Sequence, residues 1–286
     1  MCAMHATETS LATTISAQRI AALIASSSND NAKTVAVEVV AETGSTNADL
    51  LARVTAVDGA RLVAPVLLVA ESQTAGRGRA GRPWQTSKTS ALTFSLAWKF
   101  GRPLHALIGL PLAVGVALAE ALGIFGIDVE LKWPNDVLRD GAKLAGILIE
   151  TAQDKGAGAA GIAGTWTVIG IGVNLTMPPD LQQRIGRAVA DVSELLTHDR
   201  ERLLAILLSA LSDALADFDA RGFTHFVARW NRLHAYTGRA VRILDDGRML
   251  HEGVAVGVDE QGCFLMDTAS GRVAVTAGDV SLRLRE

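Results

Sequence analysis

The sequence predicts an α+β protein: a mixed sheet covered mainly on one face by helices, followed by a small all-β domain. Three observations carry this reading. Strand-like and helix-like segments mix without a regular βαβ repeat, the texture of an α+β sheet rather than a doubly wound one. The strand-like segments are β-branched or alternate at period two, whereas the helical ones repeat apolar residues at three and four. From Thr237 onward only short alternating runs remain, separated by glycine-bearing turns. The expected divisions are a polar extension over 1–34, a main domain over 35–235 and a terminal domain over 236–286. With 49% hydrophobic and 20% charged residues, the 286-residue chain can build both cores.

The elements follow in order. "SAQRIAALIASS" in the extension is one short amphipathic helix with Ile20, Leu23 and Ile24 on a face. It is too little for a DNA-reading module, which needs at least two further packed helices. "TVAVEVVAE" is a strand, and "GSTNADLLARV" a helix with Ser45 or Thr46 as its N-cap. The sheet continues through "PVLLVAE", "ALTFSLAW", "VELKW", "LAGILIETA" and "WTVIGIGVNL". "QDKGAGAAGIAG" reads as a mobile hairpin tip. Pro103 to Ala119 is uncharged, at the lower bound for a membrane span, but its proline, its glycines and the Glu120 that follows make it a buried helix. "RERLLAILLSALSDALADFDARG" repeats Leu203, Leu207 and Leu211 at helical spacing and stops at Gly222. "RAVRIL", "LHEGVAVGV", "GCFLMD" and "RVAVTA" are the terminal strands.

Composition narrows the function. A net charge of -3 provides no global basic field, so no nucleic-acid partner is expected. Cys2 and Cys263 lie at opposite ends and the six histidines are scattered, so neither a disulfide framework nor a protein-ligated zinc is expected. The first residues lack a basic stretch followed by an apolar one, so no secretion and no membrane attachment is expected, and the cytoplasm is the expected location.

"GRGRAGRPW" contains a literal G-x-G-x-x-G in Gly76, Gly78 and Gly81. A dinucleotide fingerprint needs a helix after the glycines to hold the pyrophosphate, and a strand follows instead. Arg77, Arg79 and Arg82, interleaved with glycine, are either a cradle for one anion or a solvated loop. "LKWPNDVL" sets Lys132, Asn135 and Asp136 around a turn, and Lys143 opens a buried strand, either for chemistry or for a salt bridge to a surface acid. "IGIGVNL" alternates glycine with β-branched residues, so a ligand or another backbone approaches it, or a helix packs on it tightly. Small polar residues (Ser45, Thr46, Asn47, Gln73) accompany these cations, while a nucleophile elbow, a Cys/His pair and a phosphate-binding P-loop are all missing. The set suits chemistry that positions a carboxylate against a nucleotide's α-phosphate and neutralises developing charge, which is adenylation.

"GSTNADL", "ESQTAGRGRAGRPW", "KWPNDVLRDGAKLAGILIE" and "VIGIGVNL", in this order, resemble the motif set of the biotin protein ligases, over roughly residues 36 to 286. The resemblance implies a catalytic domain related to class II aminoacyl-tRNA synthetases and a C-terminal SH3-like barrel. It also implies the reaction: biotin and ATP, with Mg²⁺, form biotinyl-5'-AMP, and the acyl group passes to a lysine on the biotin carboxyl carrier protein or domain of acetyl-CoA carboxylase. By the same resemblance Lys143 and Arg79 are the catalytic cations. Ser45, Thr46, Asn47 and Gln73 meet the biotin head, Gly146, Gly170 and Gly172 line its slot, and Gly76 and Arg77 belong to a loop that orders over the ligand. Arg82, Trp84, Lys132, Asn135, Val173, Asn174 and, from the terminal domain, Arg283 are implied on the ATP side with Arg79 and Lys143. Thr176 to Ala188 is a candidate second loop over adenine, and a monomer or weak homodimer is expected. A related ligase for lipoate, a non-catalytic biotin-binding protein and an RNA-binding terminal barrel are the alternatives.

Overall fold

The structure is a computed structural model and describes residues 15–56, 61–87, 90–153, 164–186, 188–197, 199–278 and 280–285. The chain runs through α1 (Ala17–Ala25), α2 (Asp30–Lys33), β1 (Ala36–Val40), α3 (Thr46–Thr55), β2 (Val66–Ala70), β3 (Ala91–Phe100), α4 (Leu110–Gly123), β4 (Glu130–Lys132), β5 (Asp136–Arg139), β6 (Ala142–Gln153), β7 (Thr165–Asn174), α5 (Pro179–Ile185), α6 (Arg200–Arg221) and α7 (Val227–Arg232). Five strands follow: β8 (Ala240–Asp245), β9 (Arg248–Val258), β10 (Phe264–Thr268), β11 (Gly271–Val275) and β12 (Val280–Leu284). The expected hairpin tip at 153–164 lies almost wholly outside the described residues.

The first seven strands form one mixed sheet in the order β1-β2-β3-β7-β6-β5-β4. Only β1 and β2 pair in parallel; the rest are antiparallel. Strand alternation gives the sheet two unlike faces. On one, Leu92, Phe94 and Leu96 of β3 and Ile169, Ile171 and Val173 of β7 join the main core beneath α4 and α6. On the other, Val66, Leu68, Ala97, Trp166 and Val168 form a small cluster with Leu50 and Val54 of α3. The register carries that second face onward to Thr93, Ser95, Gly170, Gly172, Gly146 and Glu150, which α3 leaves uncovered. The candidate site lies there.

The apolar run from Pro103 is a 3-10 turn (Leu104–Leu107) and then α4, eleven of whose residues are buried. It is a core helix, as expected, but it starts late. Gly109 stands at φ 85° against Phe223, where a Cβ would lie 2.5 Å from the ring, and this left-handed residue sets the start.

The extension read from the sequence over 1–34 is, from residue 15, part of the main domain. Ile20, Ile24 and Ala32 are buried in the main core, the Ile15 amide donates to Glu71 Oε1 (2.8 Å) and the Ser16 amide to Glu201 Oε1 (3.1 Å). The sequence reading saw the apolar stripe of α1 but not α2 or the surface of α6 that both helices cover.

Two further strands went unread. β5 is tied to β6 through Asp140 and Gly141, both at positive φ (51° and 75°), which is the Asp-Gly signal of a tight hairpin. β12 pairs with β8, so the terminal domain is a five-stranded antiparallel sheet in the order β11-β10-β9-β8-β12. Its core is continuous with the main one: Val241, Ile243, Ala255, Phe264, Met266 and Leu282 belong to the same buried cluster as α4 and α6. Trp133 and Phe264 meet at 5.5 Å between ring centroids, and the Trp133 indole donates to Gly262 O (3.3 Å).

His234 sits in this junction, stacked on Trp230 at 4.8 Å and edge-on to Phe264, with Nδ1 3.2 Å from the Thr237 hydroxyl. Its Nε2 is buried without a partner, and burial pushes its pKa down to about 4. The unfolded chain takes up the proton near the ordinary value of about 6.5, whereas the folded one resists until about pH 4, so stability is full at neutral pH and falls as pH drops through that window. Chemical denaturation at pH 7 and pH 5 is expected to show a loss of about 2 kcal/mol attributable to this residue, and His234→Phe should remove that part of the slope.

Candidate active site

The uncovered face of the sheet is lined by a chain of polar side chains at the start of α3. Ser45 caps the helix, its hydroxyl accepting from the Ala48 amide at 3.5 Å. The Thr46 amide donates to Gln73 Oε1 (2.8 Å), and the Thr46 hydroxyl lies 2.7 Å from Ser95 Oγ. Ser95 donates to Asn47 Oδ1 (2.6 Å), and Asn47 Nδ2 donates to Leu148 O (3.3 Å) and Glu150 Oε2 (2.9 Å). Ser45, Thr46, Asn47, Thr93 and Ser95 are all buried, so their polar atoms need partners. Thr46, Ser95 and Asn47 find them in one another and in Gln73, Glu150 and Leu148 O, whereas Thr93 donates to Ala70 O (2.9 Å) and Ser45 accepts from the backbone of its own helix.

The glycines of β7 make room for this chain. A Cβ at Gly170 would stand 2.2 Å from Asn47 Oδ1, and one at Gly172 2.3 Å from the Trp84 indole. A side chain therefore occupies each close approach, where the sequence reading offered a ligand, a backbone or a tightly packed helix. Gly146 serves the same packing from β6: its Cβ would meet Lys143 Nζ at 3.0 Å and Trp84 at 3.2 Å.

The arginine loop folds back on itself. The Trp84 amide donates to Gly76 O (2.9 Å) and the Gly78 amide to Arg82 O (2.7 Å), while Ala80 and Gly81 turn the tip at φ 52° and 67°. A Cβ at Gly76 would lie 2.6 Å from Trp84 O, so this closure needs glycine. The three guanidiniums diverge. Arg77 pairs with Glu150 at 2.7 Å, Arg79 donates to Asn135 Oδ1 (3.0 Å) and to Gly278 O in the terminal domain, and Arg82 Nε reaches Arg79 O at 3.3 Å. The expected alternatives were one shared anion or solvent. Protein acceptors hold Arg77 and Arg79, while Arg79 and Arg82 line one cleft.

Lys143 stands where the cavities meet. Its ammonium is 2.5 Å from Asp136 Oδ1 and 5.5 Å from the centre of the Trp84 ring; Lys132 lies 4.0 Å from the other oxygen of Asp136. The salt-bridge reading thus holds, but the acid belongs to the cleft wall: the Asp136 side chain is only 19% exposed. A register shift between Val137 and Leu138 brings Lys143 opposite Leu138, and its carbonyl accepts from Ala190 N (3.0 Å) and Asn174 Nδ2 (3.2 Å). Buried Asn174 also donates to Ala190 O (3.0 Å), tying the segment after α5 to β6.

Three connected cavities result. A slot of about 480 Å³ is lined by the polar chain, Arg77, Arg79, Trp84, Lys143 and the three glycines. A basic cleft of about 600 Å³ adjoins it, lined by Arg79, Arg82, Lys132, Asn135, Asp136, Lys143 and, from β12, Arg283. Beyond Trp84 an outer cleft of about 790 Å³ runs between Arg82, Asn174, Ile185 and Val189. Lys143 lines all three and Arg79 the first two. Six cations against Asp136 and Glu150 make the whole site favourable to an anion.

The sequence-predicted residues therefore converge, with two differences. Gly76 supports the loop from outside the slot, and the Val173 side chain points into the main core, because strand alternation sends it away from Gly172. Three residues of the site escaped the sequence reading. Thr93 and Ser95 were visible as the polar half of the alternation in "TFSLAW", yet their burial on a covered strand was not. Glu150 closes a strand as an ordinary surface acid would. Asp136, noted in the sequence, gains a definite place between the lysines. Among the described residues no group of three or more His, Cys, Asp or Glu side chains could hold a metal ion.

Comparison with known proteins agrees with this geometry. The sequence matches the Biotin/lipoate A/B protein ligase family over residues 56–174 and the Biotin protein ligase C terminal domain over residues 236–283. It is 36% identical over 250 residues to the Biotin--[acetyl-CoA-carboxylase] ligase of Mycobacterium tuberculosis, covering 85% of this chain and 88% of that one. It is 33% identical over 220 residues to the Bifunctional ligase/repressor BirA of Escherichia coli, covering 76% of this chain and 66% of that one, so it spans about two thirds of that relative's length. The fold is similar to the biotin protein ligase from Aquifex aeolicus in complex with biotin and ATP, with a TM-score of 0.68 at 29% identity over 87% of this chain and 99% of the other.

The contacts of Arg79 tie the loop to β5 and the terminal domain, and they make a prediction. Arg79→Ala should speed tryptic cleavage after Arg77 several-fold, by roughly the share of about 1 to 3 kcal/mol that a charge-assisted hydrogen bond contributes. Unchanged cleavage would show that the backbone bonds alone hold the loop.

Proposed function

The chain belongs to the biotin protein ligase family, and we propose that it activates biotin with ATP and transfers it to the biotin carrier domain of acetyl-CoA carboxylase. One observation carries this reading: a slot walled by small polar side chains opens directly onto a basic cleft, and Lys143 and Arg79 line both. The first half-reaction needs that adjacency. The biotin carboxylate attacks the α-phosphorus of ATP and pyrophosphate leaves, so charge develops where the two cavities meet. Fixed cations there stabilise the transition state without reorganisation. In the second, the carrier lysine amine attacks the acyl carbon and AMP leaves. Mg²⁺ enters as the counter-ion of the triphosphate, with phosphate and water oxygens as its main ligands.

The remaining roles follow from position. Thr46, Asn47, Gln73 and Ser95 face the ureido head, with Ser45 capping the helix behind them. Gly146, Gly170 and Gly172 keep the slot floor thin. Gly76 and Arg77 hold the arginine loop over it. Arg82, Lys132, Asn135 and Arg283 meet the phosphates and ribose, and Trp84 packs beside adenine, its indole seated on β7 over Gly172. Asn174 acts by clamping the outer wall, and Val173 contributes backbone alone. The mixed sheet is read as the class II synthetase-related catalytic fold and the five-stranded sheet as an SH3-like barrel that completes the nucleotide side.

The polar wall also favours biotin over lipoate. A urea offers two N–H donors and a carbonyl, whereas a dithiolane would leave those buried groups without ligand partners, which typically costs orders of magnitude in specificity. Pyrophosphate release with Mg·ATP should depend on biotin, and a carboxylase carrier domain should gain one biotinyl group by mass spectrometry. Lys143→Ala is expected to slow pyrophosphate release by about 10²- to 10³-fold while the protein stays folded. Release with lipoate in place of biotin would overturn the substrate, and silence with both acids the enzymatic reading.

A further inference from the structure

We propose that Glu150 is a positioning residue that sets which groups of the slot donate and which accept hydrogen bonds, and so makes the slot complementary to a urea; this rests on the biotin reading above. Glu150 does not line the slot, whose β6 wall is Gly146, Ile147 and Leu148. It acts through two residues that do. One carboxylate oxygen, Oε2, accepts from Asn47 Nδ2 at 2.9 Å and from Arg77 Nη2 at 2.7 Å.

The consequence runs along the polar chain. A carboxylate can only accept, so Asn47 must turn its NH2 group toward Glu150 and its Oδ1 toward Ser95; the flipped amide would set two oxygens against each other. Ser95 has one proton, and Asn47 Oδ1 takes it at 2.6 Å. The oxygen of Ser95 is then left to accept, so the Thr46 hydroxyl, which lies 2.7 Å from Ser95 Oγ and 3.2 Å from Gln73 Oε1, gives its one proton to Ser95, the shorter contact and the one with no other donor. Gln73 Oε1 is held by the Thr46 amide at 2.8 Å, which leaves the Gln73 NH2 group as a donor and the Thr46 oxygen as an acceptor for a ligand. A donor and an acceptor side by side match the carbonyl and N–H of a urea. The ordering begins at two acceptors whose polarity cannot reverse, the Glu150 carboxylate at 2.9 Å from Asn47 Nδ2 and the Leu148 carbonyl at 3.3 Å, of which Glu150 makes the shorter, charge-assisted bond.

The same oxygen carries the second effect. Arg77 belongs to the loop that closes the slot, and its ion pair with Glu150 ties that loop to the residue that orients Asn47. Asn47 Oδ1 seats on β7 in the space that a Cβ at Gly170 would need, 2.2 Å from that position, so the amide that Glu150 orients lies directly on the strand. Recognition of the ligand head and closure of the loop thus share one anchor.

Glu150→Gln keeps the size and removes the fixed polarity. Calorimetric titration of the full chain with biotin, without ATP, should show affinity weakened by at least about tenfold, with KM for biotin raised in step and kcat at saturating biotin much less affected. The double variant with Asn47→Ala should lose clearly less affinity than the sum of the two single losses, since Glu150 works partly through that amide and only partly through Arg77. A purely structural role would give additive losses. As a readout independent of stability, the preference for biotin over 2-iminobiotin, which replaces the carbonyl acceptor by an N–H donor, should shrink about tenfold in Glu150→Gln. An unchanged preference, unchanged biotin affinity or additive variants would each overturn the proposal. Wild-type protein that binds no biotin would instead overturn the reading on which it stands.

Discussion

The bare face of β7 is the constraint on which the site depends. Without side chains at Gly170 and Gly172, Asn47 and Trp84 seat directly on the strand, one from the first turn of α3 and the other from the end of the arginine loop. Those two contacts fix the opposite ends of the slot. Any Cβ at either glycine would collide with them at 2.2 to 2.3 Å, far inside van der Waals contact, and at Gly170 it would displace a buried polar chain whose members depend on fixed partners.

Charge is arranged around this frame so that most of the cations are held by protein acceptors while the site as a whole stays positive. Asp136 stands between Lys143 and Lys132, Glu150 holds Arg77, and Asn135 and a carbonyl of the terminal domain hold Arg79. Buried ions without partners are expensive, and these pairings keep the cations oriented before any ligand arrives. Preorganised charge of this kind stabilises a transition state without the reorganisation that water would require. The site is therefore a set of held cations rather than a loose positive patch.

The terminal domain is bound into the same arrangement. Its core is continuous with that of the main domain, and β12 brings Arg283 to the cleft that Lys132 and Lys143 also line. His234, neutral and buried between Trp230 and Phe264, belongs to that junction. A rigid junction matters here because two of the three cavities receive residues from elements on either side of the arginine loop, and the tip of that loop is held by both domains. The first helix plays an equivalent part at the far side: α1 covers α6, and the chain just before it is held through Glu71, the residue that leads from β2 toward Gln73.

Much of this was legible in the sequence, because local chemistry announces itself locally. Period-two runs marked most of the strands, Gly222 ended α6, the cap of α3 was narrowed to Ser45 or Thr46 and is Ser45, and the motifs marked the arginine loop and most of the charged residues that line the cavities. What stayed hidden was set by pairing across distance. Ser95 and Glu150 lie in strands whose patterns fit ordinary exposed polar positions, and only the register of β3, β7 and β6 brings them to the face that α3 leaves open. Val173 shows the converse, since alternation turns its side chain into the core beside a glycine that faces the slot and leaves only its backbone there. The amino-acid sequence by itself determined the inventory of cations, glycines and small polar groups and the elements that carry them. The tertiary structure alone decided which of them face one another, because burial and hydrogen-bond partnership are properties of two segments brought together and of neither one alone.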